Sequence, residues 1–97
     1  MGHIYGTVNT ISDIRKIASK IRRDVRKAKT KPRLTELHKR AMYLVTLTYS
    51  PGWVKHFGGS ITKARSVAKQ EFKKTAKLIN KKAKQLGIAK HYDETYS

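Results

Sequence analysis

Between residues 15 and 29 the chain sets out Arg15, Lys16, Lys20, Arg22, Arg23, Arg26, Lys27 and Lys29, with only Asp13 and Asp24 as acids close by. Guanidinium groups grip phosphate in bidentate fashion and ammonium groups act as point charges, so a helix carrying both can track a phosphate backbone without reading bases. Two acids cannot neutralise eight cations, which weakens the reading of this face as a salt-bridged solvent surface. A second basic set, Lys63, Arg65, Lys69, Lys73, Lys74, Lys77, Lys81, Lys82 and Lys84, is opposed by Glu71 alone. Its lysine dominance points to backbone attraction, because base readout prefers Arg, Asn or Gln. The expected phosphate contacts are all eight cations of the first set together with Arg33, Lys55, Lys63, Lys73, Lys74, Lys77, Lys81 and Lys84.

Aromatic residues are interleaved with bases at Trp53, Lys55, His56 and Phe57. Such a segment either stacks an unpaired base or folds back to cap the end of a small helical core. Tyr5, Tyr92 and Tyr96, near the two ends, face the same choice between stacking and docking on a partner. His3, His38, His56 and His91 show no i, i+4 pair and no neighbouring carboxylate set, so no metal site is expected. No Gly-x-Ser-x-Gly elbow is present, and the acids are too dispersed for an acid/base pair. "GGSITK" lacks the spacing and the Lys-Ser/Thr order of a P-loop. The chain is read as non-catalytic and free of cofactors.

Composition sets the partner class. Lys and Arg number 23 against six acids, a formal charge of +17 over 97 residues. Twelve of the cations lie in 15–40 and eleven in 55–90, so this is not a basic tail on a neutral domain. Repulsion of that size disfavours the compact state, and a polyanion relieves it while being attracted over long range. No apolar run reaches the length of a membrane span, and "MGHIYGTVNT" lacks the basic-then-apolar layout of a secretory signal, so a cytoplasmic chain without a membrane is expected. Cysteine is absent, which removes disulfides and thiolate metal sites.

The elements that must position these side chains are helical. Thr10 followed by Asp13 resembles a capping box, and Ile14, Ala18, Ile21, Val25 and Ala28 form a seam of alternating four and three spacing, predicting a helix over about 11–29. Pro32 breaks that pattern and opens a second helix, about 33–49, with Leu34, Leu37, Ala41, Leu44 and Thr48 as its stripe and Met42, Val45 and Tyr49 beside it. Its second half, "AMYLVTLTY", reads as the most buried part of the chain, and its β-branched residues leave a strand open there. "SPGWVKHFGG" reads as a loop, with Ser60 as N-cap of a third helix over about 61–86 whose stripe is Ile61, Ala64, Ala68, Phe72, Ala76, Ile79, Ala83 and Leu86, stopped by Gly87. Residues 1–9 and 88–97 read as arms.

These features predict one all-α domain, a small three-helix bundle with extended arms, whose first and third helices turn basic faces outward. The expected function is backbone binding to RNA or DNA largely without sequence readout, as a component of a larger nucleoprotein assembly such as a ribosome or a replication or packaging complex. The alternative is an accessory subunit that docks by its apolar surface on a nucleic-acid-processing enzyme such as a DNA polymerase complex. In composition and helix count alone the chain resembles small basic helical ribosomal proteins and helical accessory subunits of archaeal DNA-processing assemblies.

Overall fold

Four α-helices and one 3₁₀ turn account for the computed structural model, which describes residues 9–96: α1 (Ile11–Lys27), α2 (Lys31–Leu47), α3 (Pro51–Phe57), the turn Gly58–Ser60, and α4 (Ile61–Gln85). The fold is all-α, with no strand among the described residues. Tyr5 and His3 lie outside those residues.

α1 begins where the Thr10–Asp13 pair places it. The Asp13 amide donates to Thr10 Oγ1 at 3.3 Å while Asp13 Oδ2 accepts from the Thr10 amide at 3.0 Å, completing a capping box. Asp13 Oδ2 also accepts from the Asn9 amide at 3.0 Å. That bond, the one from Thr10 and the charge of Lys16 hold the carboxyl below the usual Asp range. A depressed folded-state pKa means that the cap's contribution is complete above the ordinary Asp range and is lost as pH falls through the lowered value. In an NMR titration the Asn9 and Thr10 amide shifts should therefore move with a midpoint below that of an unperturbed Asp; a midpoint at the ordinary value contradicts the cap.

The α1 seam is buried as its spacing requires: Ile14, Ala18, Ile21, Val25 and Ala28 are all in the core. α1 stops at Lys27 rather than Lys29, because Ala28 turns extended and leads to Thr30, the N-cap of α2, with Pro32 in the first turn. α2 is helical throughout, so the β-branched residues of its second half form no strand. Nor is that half the most buried stretch: Ala41, Leu44 and Val45 face inward, while Met42, Tyr43 and Tyr49 are 38, 45 and 47 % exposed. α4 lies along both α1 and α2 and buries Ala64, Ala68, Phe72, Ala76, Ile79 and Ala83, its alanines permitting close approach.

The segment expected to be a loop is α3. Ser50 supplies an N-cap, its Oγ accepting from the Trp53 amide, and Pro51 occupies the first turn, where a missing amide donor costs nothing. Read as a stop, Ser-Pro-Gly is instead a start. Ser60 makes no side-chain cap, because the 3₁₀ turn runs into α4 with helical backbone. The turn is entered through Gly58, whose φ of +53° suits glycine.

The C-terminal arm folds onto its own helices. Gly87, at φ +72°, closes α4 in a Schellman arrangement: the Ile88 amide donates to Ala83 O at 2.8 Å and the Gly87 amide to Lys84 O at 3.1 Å. The chain then returns along α2 and α4. Asn80 fastens it in the manner of a backbone pair, its Oδ1 accepting from the Tyr92 amide at 2.7 Å and its Nδ2 donating to Tyr92 O at 2.8 Å. Tyr92 is 2 % exposed, with its hydroxyl 2.8 Å from that of Thr35. His38, also buried, sits with Nε2 at 2.8 Å from Asp93 O and its ring between Phe72 and Tyr92. Replacing Asn80 with alanine strands both Tyr92 backbone groups and should cost about 2 kcal/mol. Limited proteolysis should then cut near Lys90 first; unchanged stability and cleavage would show that the arm is held without Asn80.

Candidate nucleic-acid interface

Helical repeat decides which cations reach solvent together. On α1, Arg15, Lys16, Lys20, Arg23, Arg26 and Lys27 are exposed opposite the buried seam. Arg15, Lys16, Arg23 and Arg26 line one shallow groove with Ser12, Ser19 and Arg22. Arg26 also borders a second hollow, where α1 meets α4, with Lys81 and Lys82 as its α4 cations. There Lys82 Nζ donates to Arg26 O at 2.7 Å, tying the two basic helices together. The grooves share Arg26, so the cations of α1 run without a break onto α4. Lys63, Lys73, Lys74, Lys77 and Lys84 are exposed on α4 as well.

Two of the expected phosphate contacts are engaged elsewhere. Arg22 is turned inward, its side chain 17 % exposed, with Nη1 2.9 Å from Glu71 Oε1 and 3.2 Å from Thr75 Oγ1. It is a cross-link between α1 and α4, and its charge is spent on Glu71. Spacing along one helix could not reveal this, since the partner lies 49 positions away in sequence, from 22 to 71. Arg33 donates to Glu36 at 2.9 Å and lies 3.8 Å from Asp24, so it works at the α1–α2 turn. Lys27 and Lys29 line a hollow at that same turn with Asp24 and Arg33. Lys74 shares Glu71 with Arg22 at 3.4 Å but keeps its side chain 66 % exposed. Lys55 is exposed on α3.

The acids explain why so much positive charge stays available. Asp13 is consumed by a cap, Asp24 and Glu36 sit against Arg33 and Arg40, and Glu71, 5 % exposed, is enclosed by Arg22 and Lys74. The bonds to Arg33 and Arg40 hold the Glu36 carboxyl below its usual range. These four acids thus stand at a helix end, at a turn or within the core, and none of them lines the α1–α4 grooves.

The aromatic candidates divide. Trp53 and Phe57 are half-buried against the core end formed by Ile14, Leu44 and Phe72, their rings 5.8 Å apart. Tyr92 is core. Tyr96 is half-buried, its hydroxyl 2.8 Å from Thr46 Oγ1 and its ring parallel to Tyr49 at 6.4 Å. Arg65 and Lys69, absent from the expected contacts, border a cleft with Lys73 and Tyr96. The guanidinium of Arg65 lies 4.0 Å from the centre of the Tyr49 ring. Their i, i+4, i+8 spacing was visible in sequence, but the tail that forms the opposite wall was not.

Among the described residues no group of His, Asp and Glu is arranged to hold a metal ion, and no helix is long and apolar enough to cross a membrane. No protein-family model, curated protein or solved structure matches the chain.

Proposed function

We propose that the chain, a bundle of three long helices with the short α3 between the second and third of them, binds RNA or DNA through the phosphate backbone, without reading base sequence, as a non-catalytic component of a larger nucleoprotein assembly. One observation carries this reading: cations of α1 and α4 meet in adjoining grooves at Arg26, Lys81 and Lys82, and among the described residues no acid lines either groove. A surface kept only for solubility has no need of that segregation. The arrangement suits a polyanion with regularly spaced charge, and lysine and arginine without a base-reading set favour the backbone as the target.

The test is binding of the purified protein to matched duplex DNA, duplex RNA and single strands from low to high salt. With six to ten phosphate contacts, affinity should fall by roughly a thousandfold or more between about 50 and 200 mM salt. A flat salt response contradicts backbone binding.

The second reading, a docking subunit of a nucleic-acid-processing enzyme such as a DNA polymerase complex, is favoured by the exposed apolar side chains and by the ion pairs that cancel charge on α2. Glu36 engages Arg33 and Arg40 on α2, and Met42, Tyr43, Tyr49 and Val54 are exposed on α2, its C-terminal turn and α3. Pull-down from nuclease-treated extract decides it: a protein partner retained in high salt supports docking.

A further inference from the structure

The cleft between α4 and the C-terminal arm has a different build from the α1–α4 grooves. It holds about 530 Å³, within the range of small-ligand sites, and is walled by Arg65, Lys69 and Lys73 on α4 and by Glu94 and Tyr96 on the arm. Lys69 and Lys73 stand one helical turn apart, and neither has a carboxylate within ion-pair distance among the described residues. Facing them is a ring fixed on several sides: Tyr96 is hydrogen-bonded to Thr46, edge-on to Phe72 at 6.3 Å and parallel to Tyr49. Arg65 lies over the Tyr49 ring and donates from Nη2 to Thr48 O at 2.8 Å. Its Nε is buried with no hydrogen-bond partner among the described residues.

Cations on one wall and an immobilised aromatic ring on the other are the two elements that bind an unstacked nucleotide, one for its phosphate and one for the face of its base. Gln70 on α4 adds a side-chain amide and Glu94 on the arm a carboxylate, one oxygen of which accepts from Asn80 Nδ2 at 2.9 Å, leaving the other to meet the edge of a base. A duplex presents stacked bases and a stiff outer backbone, so it cannot offer a base to Tyr96. Resting on the nucleic-acid reading above, we infer that this cleft takes an unpaired nucleotide of a single strand, its phosphate on Lys69 and Lys73 and its base on Tyr96. The molecule then has two modes, a basic α1–α4 face for any phosphate backbone and a cleft that selects strands with free bases.

The experiment uses the full chain with labelled oligo-dT, oligo-rU and a blunt duplex of equal length, in wild type, Tyr96→Ala, Tyr96→Phe and Lys69→Gln/Lys73→Gln. Tyr96→Ala should weaken single-strand binding about tenfold and duplex binding less than about twofold. Tyr96→Phe keeps the ring and should retain nearly all single-strand affinity, which separates stacking from loss of the Thr46 bond. The double lysine variant changes exposed side chains and should also lower single-strand affinity more than duplex affinity. Equal losses on both probes would overturn the cleft while leaving backbone binding intact. Failure of the wild type to bind any probe at low salt would instead remove the nucleic-acid reading. Binding of polyglutamate, but of no strand, that is lost in the lysine variant would overturn the cleft proposal in favour of an acidic protein.

Discussion

Replacing Arg15, Arg23, Arg26 and Lys81 together with glutamine is expected to weaken binding to duplex DNA or RNA by roughly a thousandfold at about 100 mM salt. Each phosphate contact contributes about 0.9 to the slope of log affinity against log salt, so losing all of them removes about 3.6 log units at 0.1 M relative to 1 M. The slope itself should flatten by the same amount. These residues border the grooves that meet at Arg26 and make no ion pair among the described residues, so their removal should leave the helices intact. Lys31→Gln/Lys39→Gln/Lys90→Gln is the comparison, removing exposed charge elsewhere. A loss per charge equal to that of the groove variant would show that net charge alone attracts the polyanion and that no face is specialised.

Glu71→Ala is expected to lower the unfolding free energy by about 3 kcal/mol, the low end for breaking a buried ion pair, because Arg22 keeps some contact with water. The variant leaves Arg22 with only the neutral hydroxyls of Thr75 and Ser19 as acceptors and sends Lys74 unopposed into a molecule already far from neutrality. Denaturation with urea, which is uncharged, measures this without screening. The double variant Arg22→Met/Glu71→Leu should recover most of the loss, since a well-packed apolar pair often equals or exceeds a buried ion pair. An additive double variant would show that the two side chains act independently. Arg22→Met should change stability while leaving the salt slope of nucleic-acid binding nearly untouched, the reverse of Arg23→Gln. Equal effects on the slope would return Arg22 to the phosphate contacts.

Legibility followed the range of the interaction. Ile14 to Ala28 and Ala64 to Ala83 could be placed in the core from spacing alone, because each helix repeats its own contact every turn. The Thr10–Asp13 box was legible for the same reason, both partners lying within one turn. α3 was not, since Ser-Pro-Gly serves equally to end a helix and to begin one, and the burial of Trp53 and Phe57 decides between them. Tyr92 was misplaced, and the burial of His38 was not foreseen, because their partners, Asn80, Thr35 and Asp93, come from other elements. The basic character of the surface was plain in the sequence, while the division into a shared α1–α4 groove, a core tie at Arg22 and a cleft at Tyr96 depends on which helix lies beside which.

The ties between α1 and α4 join residues 53 and 56 positions apart, Arg22 to Thr75 and Arg26 to Lys82. α1 and α2 touch each other less than either touches α4. A hairpin of the first two helices therefore gains little by itself, and the most extensive helix contact, α1 on α4, forms only when a long loop closes. This raises the contact order above that of a helical protein built from neighbouring hairpins, and refolding should be slow for an all-α chain of this size. The same closure brings the two most cationic helices together. Salt should accordingly speed the refolding arm of the chevron more than it slows the unfolding arm, so that the charge proposed to attract a polyanion also sets the pace at which the molecule is finished.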